Sequence, residues 1–530
     1  MDEPSPSANR QIARAAGTVM FAIILGQITG LIRGILVARA FPAAELDAFF
    51  AANRVSETLF MLLAAGALGS AFIPTFTGLL AREDKASAWK LASSIANLLV
   101  LTLSFLATLA AIFAPQIVRY ALAPGFSNEP ALFSLTVNLL RVQLISVVLF
   151  GLGGLIVGIL NAHQIFLIPA LTPSMYQLGL IFGVLVLAPR MGIYGLAWGV
   201  VIGAVLYLLL QIPSLLKQRI TYSPVLGLDN GAVREVFRLM GPRILGVAVV
   251  QLNFWVNVNL ASEMAAGSVA GLQYGFTLML MAQAAIAQSV AIAAMPTFSA
   301  QYALGKLDEL RGSLASSIRG VLFLSLPASL GLILLRKPIV AMLYQRGEFD
   351  ARMTNLVAWA LLWYAAGLVG HSILEVLTRA FYAQHDTKTP VIVGAVAMGL
   401  NVVFSFVFSS FFQRIGWLPH GGLALANSLA TALEVSTLFL IMHKRLNGIN
   451  EIHILRGGLQ ATGGAVAMSV AVLLCLHFLS DQSAWLPAIS GIAAGGLVYA
   501  LTMATLQIPE WKMLIEVVRK GILKFVRWAS

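Results

Sequence analysis

In 530 residues there is one cysteine, and only 11% of the chain is charged. Cys475 sits alone in an apolar run, which excludes a disulfide framework, and no Cys/His cluster has metal-ligand spacing. Phosphate-binding glycine loops, nucleophile elbows and metal motifs are also missing, so neither catalysis nor ATP-driven transport has support, and no cofactor or metal is expected. Soluble domains carry about 25% charged residues. At 59% hydrophobic residues and a mean hydropathy of +0.87, this chain has more apolar surface than a soluble core absorbs, which excludes a soluble enzyme. An outer-membrane barrel needs alternating strands of about 10 residues, and continuous apolar runs such as 98–113 do not alternate.

What is present is a series of apolar runs of about 20 residues, the length that crosses about 30 Å of hydrocarbon. Spans are expected at 15–38, 48–76, 88–114, 133–160, 165–188, 191–216, 232–259, 266–298, 314–335, 352–380, 389–412, 420–442, 457–479 and 485–506. This predicts an all-α polytopic membrane protein of fourteen helices with both termini on one side. The net charge of +12 (34 basic against 22 acidic residues) lies in the loops. Arg10, Arg14, Arg82, Lys85, Lys90, Lys217, Arg219, Arg234, Arg238 and the basic tail fall on the side of the termini; a smaller set, including Arg39, Arg119, Arg190, Arg336 and Arg414, falls opposite. Positive residues mark the cytoplasmic side, so both termini are expected there, and the charge is a topology signal without a nucleic-acid partner.

The first span follows a polar segment, 1–14, and no small-residue cleavage site follows it, so it reads as a membrane helix and not a removed signal. Near the other end, Trp511, Leu514, Ile515, Val518, Ile522 and Phe525 share one helical face, and Lys512, Arg519, Lys520, Lys524 and Arg527 the other. That pattern over 508–530 predicts an interfacial helix on the cytoplasmic leaflet.

The chain also repeats. AFIPTFTGLLA from Ala71 matches AAMPTFSAQYA from Ala293 at an offset of 222, and NAHQIFLIPA from Asn161 matches YAQHDTKTPV from Tyr382 at 221. GLAWG from Gly195 resembles GLALA from Gly422, slightly further out of register. Two lobes of six helices are expected, 15–220 and 225–445, with additional helices over 456–506.

Charges inside spans are costly and mark function by default. Arg33 lies in the first span; Arg54 and Glu57, three apart on one helical face, lie in the second, with Asp47 at its edge. They read either as a cationic face for an anionic substrate, or as a neutralised structural pair with Arg33 snorkelling to an end. Asp47 reads equally as a helix N-cap or a gate. Gln251, Asn253, Asn257 and Asn259 form a polar run on the seventh span, either facing a cavity or bonding helices together. Glu375 and Arg379, four apart, read as a structural ion pair, and Glu434 as a proton site or a protonated structural carboxyl.

Several runs together are similar to the MurJ/MviN lipid II flippases of the multidrug/oligosaccharidyl-lipid/polysaccharide exporter superfamily. They are VARAFPAAELDAFF (37–50), AFIPTF, LLRVQ from Leu139, GILNAHQIFLIPALTP from Gly158, LMGPRILGVAVVQLN from Leu239, and above all LYQRGEFDARMT (343–354) through RAFYAQHDTKTP (379–390). The resemblance implies a flippase of the bacterial cytoplasmic membrane that moves the undecaprenyl-diphosphate-linked peptidoglycan precursor, with spans 1, 2, 7 and 8 lining a cavity. Its partners would be the lipid-linked glycan, membrane lipids and the cell-wall synthesis machinery. Arg33, Asp47, Arg54, Gln27, Glu57, Gln251, Asn253 and Thr277 become candidate substrate contacts. The chain also departs from the family. Gln27 and Phe60 stand where the family has cavity arginines, and Ala65 where it has an acidic residue. In the eighth span the family's Tyr-Ala-Asp-Arg-Leu reads Tyr274, Gly275, Phe276, Thr277 and Leu278, and a following proline is Ala282. A sodium site known in some members maps onto Asn257, Asn401, Ser405, Leu423 and Asn427, with two aspartates of the pattern replaced by Asn257 and Ser405. Hard cations need carboxylates, so the resemblance implies a degenerate site. Export of another amphiphile, such as a different polyprenyl-linked glycan or a drug-like cation, and a transport-dead scaffold are the other readings.

Overall fold

The computed structural model describes residues 6–62, 68–479, 482–508 and 510–511, and every regular element among them is helical. In chain order these are α1 (Pro6–Ala40), α2 (Ala43–Phe60), α3 (Leu68–Ala81), α4 (Lys85–Ile112), α5 (Ala114–Gln116), α6 (Pro130–Ala162), α7 (Leu167–Phe182), α8 (Ala188–Met191) and α9 (Ile193–Leu216). They are followed by α10 (Gly231–Ser262), α11 (Ser268–Gln283), α12 (Ser289–Ala303), α13 (Leu307–Tyr344), α14 (Ala351–Ala383), α15 (Lys388–Arg414), α16 (His420–Leu446), α17 (Glu451–Phe478) and α18 (Trp485–Thr505). Among the described residues 12 helical stretches, from Lys85–Ile112 to Trp485–Thr505, are long and apolar enough to cross a membrane. They fall on the third to fourteenth expected spans; α1 covers the first, and α2 and α3 lie in the second. The chain is a multi-pass helical membrane protein. α1 already begins at Pro6, so the polar segment read as a lead belongs largely to the first helix. Ala65 and the basic residues from Lys512 onward lie outside the described residues.

Hydropathy alone does not foretell the breaks within spans. π-helical turns interrupt the spans at Gly183–Leu187 and Ala284–Gln288, and a third, Ile117–Leu122, lies between the third and fourth expected spans. Helix starts are set by side-chain caps: Asp84 accepts from the Ser87 amide at 3.0 Å, Asn230 from Ala232 at 2.9 Å and Asp350 from Met353 at 2.7 Å.

The repeat recurs in the backbone. Pro74 inside α3 and Pro296 inside α12 are 222 apart. So are two left-handed residues that end helices, Glu83 (φ 58°) and Gly305 (φ 69°). Gln164 (φ 60°) and His385 (φ 59°) follow at an offset of 221. A left-handed residue terminates a helix without a further turn, so the halves share helix ends as well as sequence.

By internal contacts the chain divides into two compact units: Met1–Ala270 with Arg346–Phe349, and Gly271–Gln345 with Asp350–Ser530. In the first, Phe72, Phe76, Trp89, Ile95, Ile159 and Met240 join α3, α4, α6 and α10 in one apolar core. Glycines set the closest crossing: a Cβ on Gly203 of α9 would stand 2.7 Å from the Tyr176 carbonyl of α7, so only glycine lets these backbones touch. The Glu348 amide donates to the Arg39 carbonyl at 3.1 Å, closing the end of α1. In the second unit, Phe298, Leu310, Ile318, Val376, Phe381 and Leu438 pack α12, α13, α14 and α16 together, while Phe323, Met468, Tyr499 and Met503 pack α13 against α17 and α18.

The run 379–390 that carried much of the resemblance has a structural reason. Asp386, between α14 and α15, accepts from the Lys388 and Thr389 amides at 3.1 and 3.0 Å and from the Thr389 hydroxyl at 2.6 Å. It also pairs with Arg445 at the end of α16 at 2.6 Å. Burial pushes its carboxyl up, but the Thr389 and Arg445 contacts outweigh that and hold it at about 2.

Candidate functional site

In the first unit a polar node forms where α2 meets α10. Arg54 and Glu57 are paired at 2.9 Å, as their helical spacing requires, with the arginine side chain 11% exposed and the glutamate 37%. The Arg54 guanidinium lies over the Phe254 ring, 4.7 Å from its centroid. One turn further along α2, Thr58 donates to the Arg54 carbonyl at 2.7 Å, lies 3.3 Å from Gln251 Oε1, and accepts from Trp255 Nε1 at 2.8 Å. Gln251 of α10 thus meets α2.

Arg33, on α1, is half-buried, and its Nε is buried without a hydrogen-bond partner among the described residues. Arg33 and Glu57 both lie within electrostatic reach of the Tyr176 hydroxyl on α7. The Arg54–Glu57 pair of α2 is thus linked through Glu57 to the phenol on α7, which Arg33 of α1 also reaches. Gln27 is exposed. Phe60, where a cation was expected from the resemblance, packs on Phe150 with ring centroids 5.4 Å apart, and Phe150 in turn meets Tyr176 at 5.2 Å and Tyr207 at 5.5 Å. The replacement is an apolar ring built into an aromatic cluster, not a cation displaced to a neighbouring position.

Asp47 is a cap, though not of its own helix. It is 2% exposed and caps no end of its own helix, which has Pro42 at the N-cap. Instead it accepts from the Gly267 amide at 2.6 Å and the Ala270 amide at 2.7 Å, and so caps the start of α11 from across the unit. Asn253 and Asn257 are buried and one turn apart, with Nδ2 of the second 3.5 Å from Oδ1 of the first. Asn259 donates to the Ala121 carbonyl at 2.9 Å, which is a helix-bonding role.

In the second unit, the Thr277 hydroxyl donates back to the Gln273 carbonyl at 2.7 Å. Of the residues mapped to an ion site, Ser405 donates to Asn401 Oδ1 at 3.2 Å, Leu423 is fully buried, and Asn427 Oδ1 lies 3.1 Å from His371 Nε2. The Asn401 oxygen is engaged by a protein donor, and the Asn427 oxygen lies within hydrogen-bond distance of the His371 ring. Among the described residues no group of three or more His, Cys, Asp or Glu could hold a metal. Glu375 and Arg379 pair loosely, at 3.9 Å, as their spacing predicts.

Residues the sequence reading passed over are Thr58, Phe254, Trp255 and Tyr176. Thr58 carried a weak signal, four residues after Arg54 on the same face. The others became relevant only through contacts between helices.

The family model described as lipid II flippase MurJ matches residues 37–491. The lipid II flippase MurJ of Burkholderia cenocepacia is 31% identical over 439 residues, covering 82% of this chain and 84% of that protein. A solved lipid II flippase MurJ in an inward closed conformation superposes with a TM-score of 0.79 at 25% identity, over 94% of this chain and 99% of that one. An inward-facing MATE family multidrug resistance transporter of the MOP superfamily superposes with a TM-score of 0.66 at 16% identity, over 82% and 99% of the two chains, a likeness of fold.

Proposed function

The chain belongs to the lipid II flippase MurJ family, and from that premise we propose that it translocates lipid II across the cytoplasmic membrane of a bacterium. It is a transporter and not an enzyme. The observation that carries the reading to particular residues is the convergence of Arg33, Arg54, Glu57 and Tyr176 within one unit. A lipid-linked sugar diphosphate carries its charge on phosphates, and guanidinium forks suit phosphate geometry better than lysine ammonium groups. Arg33 and Arg54 hold the diphosphate; Glu57 keeps Arg54 oriented until substrate competes for it. Gln27, Gln251, Asn253 and Thr277 offer neutral polar contacts, and Asp47 positions the start of α11. Transport proceeds by alternating access between the duplicated halves, 15–220 and 225–445, with 456–506 outside the duplicated core. Both termini face the cytoplasm, and the supply of substrate ties the protein to the cell-wall synthesis machinery. Asn257, Asn401, Ser405, Leu423 and Asn427 hold helices and bind no sodium.

Reconstituted vesicles carrying labelled lipid II test the function. Flipping by the wild type, lost in Arg33→Ala and Arg54→Ala at normal membrane levels, is the expected result. A wild type that inserts normally and leaves lipid II unmoved would refute it and favour another amphiphile, a reading to which the apolar Phe60 and the uncharged Thr277 lend weight. Reporter fusions placing the two termini on opposite sides would sink the topology.

A further inference from the structure

Helix α16 carries a carboxyl in the body of a membrane span. Glu434 lies near the middle of His420–Leu446 and is 8% exposed. It faces α15, where a Cβ on Gly394 would stand 3.1 Å from its Oε1, so the absence of a side chain there makes room for the carboxyl. Its neighbours on the helix, Val435 and Leu438, belong to the apolar core of the unit.

Several ionisable groups on the helices around it are engaged elsewhere. α14 and α15 are the helices packed on α16. On α14, Glu375 pairs with Arg379 at 3.9 Å and lies 3.5 Å from Gln283 Nε2, while His371 Nε2 lies 3.1 Å from Asn427 Oδ1 and 3.3 Å from Thr431 Oγ1. Arg352, Tyr364 and Tyr382 are the other titratable side chains of α14, and α15 has only Lys388 and Arg414, at its two ends. On α16 itself, His420 bonds the Leu356 carbonyl at 3.0 Å, His443 contacts Glu451, Arg445 pairs with Asp386, and Lys444 lies in the last turn. Among the described residues no cation or hydrogen-bond donor is paired with Glu434. Asn427, Thr431 and Glu434, spaced by four and three, form one buried polar stripe along α16.

An unpaired carboxylate in hydrocarbon is costly, whereas the same group carrying a proton is a small neutral dipole. A leucine would fill this position at no such cost. We infer that Glu434 is a proton-binding site, loaded and emptied during the transport cycle. Loading forms one O–H bond with a proton taken from water at a membrane face; emptying breaks it and returns the proton to water, with no other reactant. The carboxylate left behind needs water or a cation, so the α15–α16 contact at Gly394 opens in the unloaded state. The coupling part of this inference rests on the proposed transport function.

Two measurements test it separately. In lipid bilayers without substrate, infrared difference spectra across a pH titration are expected to contain the carbonyl stretch of a protonated carboxyl that titrates and is absent from Glu434→Gln. No such Glu434-dependent band would overturn the site. In vesicles with labelled lipid II and an imposed pH gradient, wild-type flipping is expected to respond to the gradient, Glu434→Gln to lose the response, and Glu434→Asp to keep it with a shifted profile. A wild type that flips without responding, or a Glu434→Gln variant that responds like wild type, overturns the coupling. If Glu434→Gln fails to insert, the Glu434→Asp profile decides: one that coincides with wild type overturns the inference. A titrating band in a protein that moves no lipid II would refute the flippase reading and leave the proton site standing.

Discussion

Removing Arg54 alone does not separate substrate binding from structure, because Arg54 is both a candidate phosphate ligand and the partner of Glu57; removing both residues does. A charge-assisted hydrogen bond to phosphate contributes about 1.5–3 kcal/mol. At about 1.4 kcal/mol per decade, Arg54→Ala is expected to weaken lipid II binding by about 10- to 150-fold. The pair itself contributes much less: Glu57 is 37% exposed, and pairs this open to solvent are worth about 0–1 kcal/mol. Glu57→Gln should therefore leave folding near wild type and bind lipid II as tightly or more tightly, since it releases a donor. The double variant Arg54→Ala, Glu57→Gln should bind as poorly as Arg54→Ala. Arg54→Lys should fall between, keeping the charge but losing the planar stack 4.7 Å above Phe254. The assay is binding of labelled lipid II to purified protein in nanodiscs, with flipping rates in parallel. If the double variant binds like wild type, the loss in Arg54→Ala came from an orphaned Glu57, and Arg54 is structural.

Asp47→Ala removes two charge-assisted bonds of 2.6 and 2.7 Å, so hydrogen exchange at the Gly267 and Ala270 amides should rise by about tenfold or more for every 1.4 kcal/mol lost; unchanged exchange would refute the cap. Transport should be indifferent to millimolar sodium, because the five mapped residues include no carboxylate to hold a hard cation; a saturable sodium dependence abolished by Asn257→Ala would contradict this. Thr277→Arg should tighten binding of a diphosphate lipid relative to wild type, measured in the same nanodiscs, by supplying a bidentate donor; no gain would place Thr277 away from the substrate path. Asp386 is held at about 2, below its unfolded value of 3.8, so its stabilisation is full above about 4 and is lost as pH falls through about 2. Asp386→Asn should therefore cost about 1–2 kcal/mol at neutral pH and progressively nothing in acid, read by thermal unfolding in detergent; a constant difference across pH would refute the linkage.

What the sequence made legible is what helix geometry fixes locally. Apolar length gave the spans, and pairs three or four apart, Arg54 with Glu57 and Glu375 with Arg379, meet because a helix turn brings them together whatever surrounds it. The repeat was legible because a duplicated chain keeps its helix ends, so the left-handed residues at Gln164 and His385 follow the offset of the letters around them. The contacts that give the site its character connect distant parts of the chain. Asp47 meets amides 220 and 223 residues away, and Trp255 meets Thr58 across 197. Their meeting depends on the register of α2 against α10 and on where α11 begins, and neither is encoded in any window of hydropathy. The same limit governs the apparent losses. Read as letters, Phe60 is a missing cation; in the fold its ring sits against Phe150, which also touches Tyr176, the residue within reach of both Arg33 and Glu57. Aromatic rings packed on the phenol that both Arg33 and Glu57 reach make that side of the cluster apolar, and a charged contact is stronger where its surroundings are apolar. A count of arginines read from letters therefore leaves out what surrounds those that remain, and it is on Arg33 and Arg54, in these surroundings, that the proposed diphosphate contact depends.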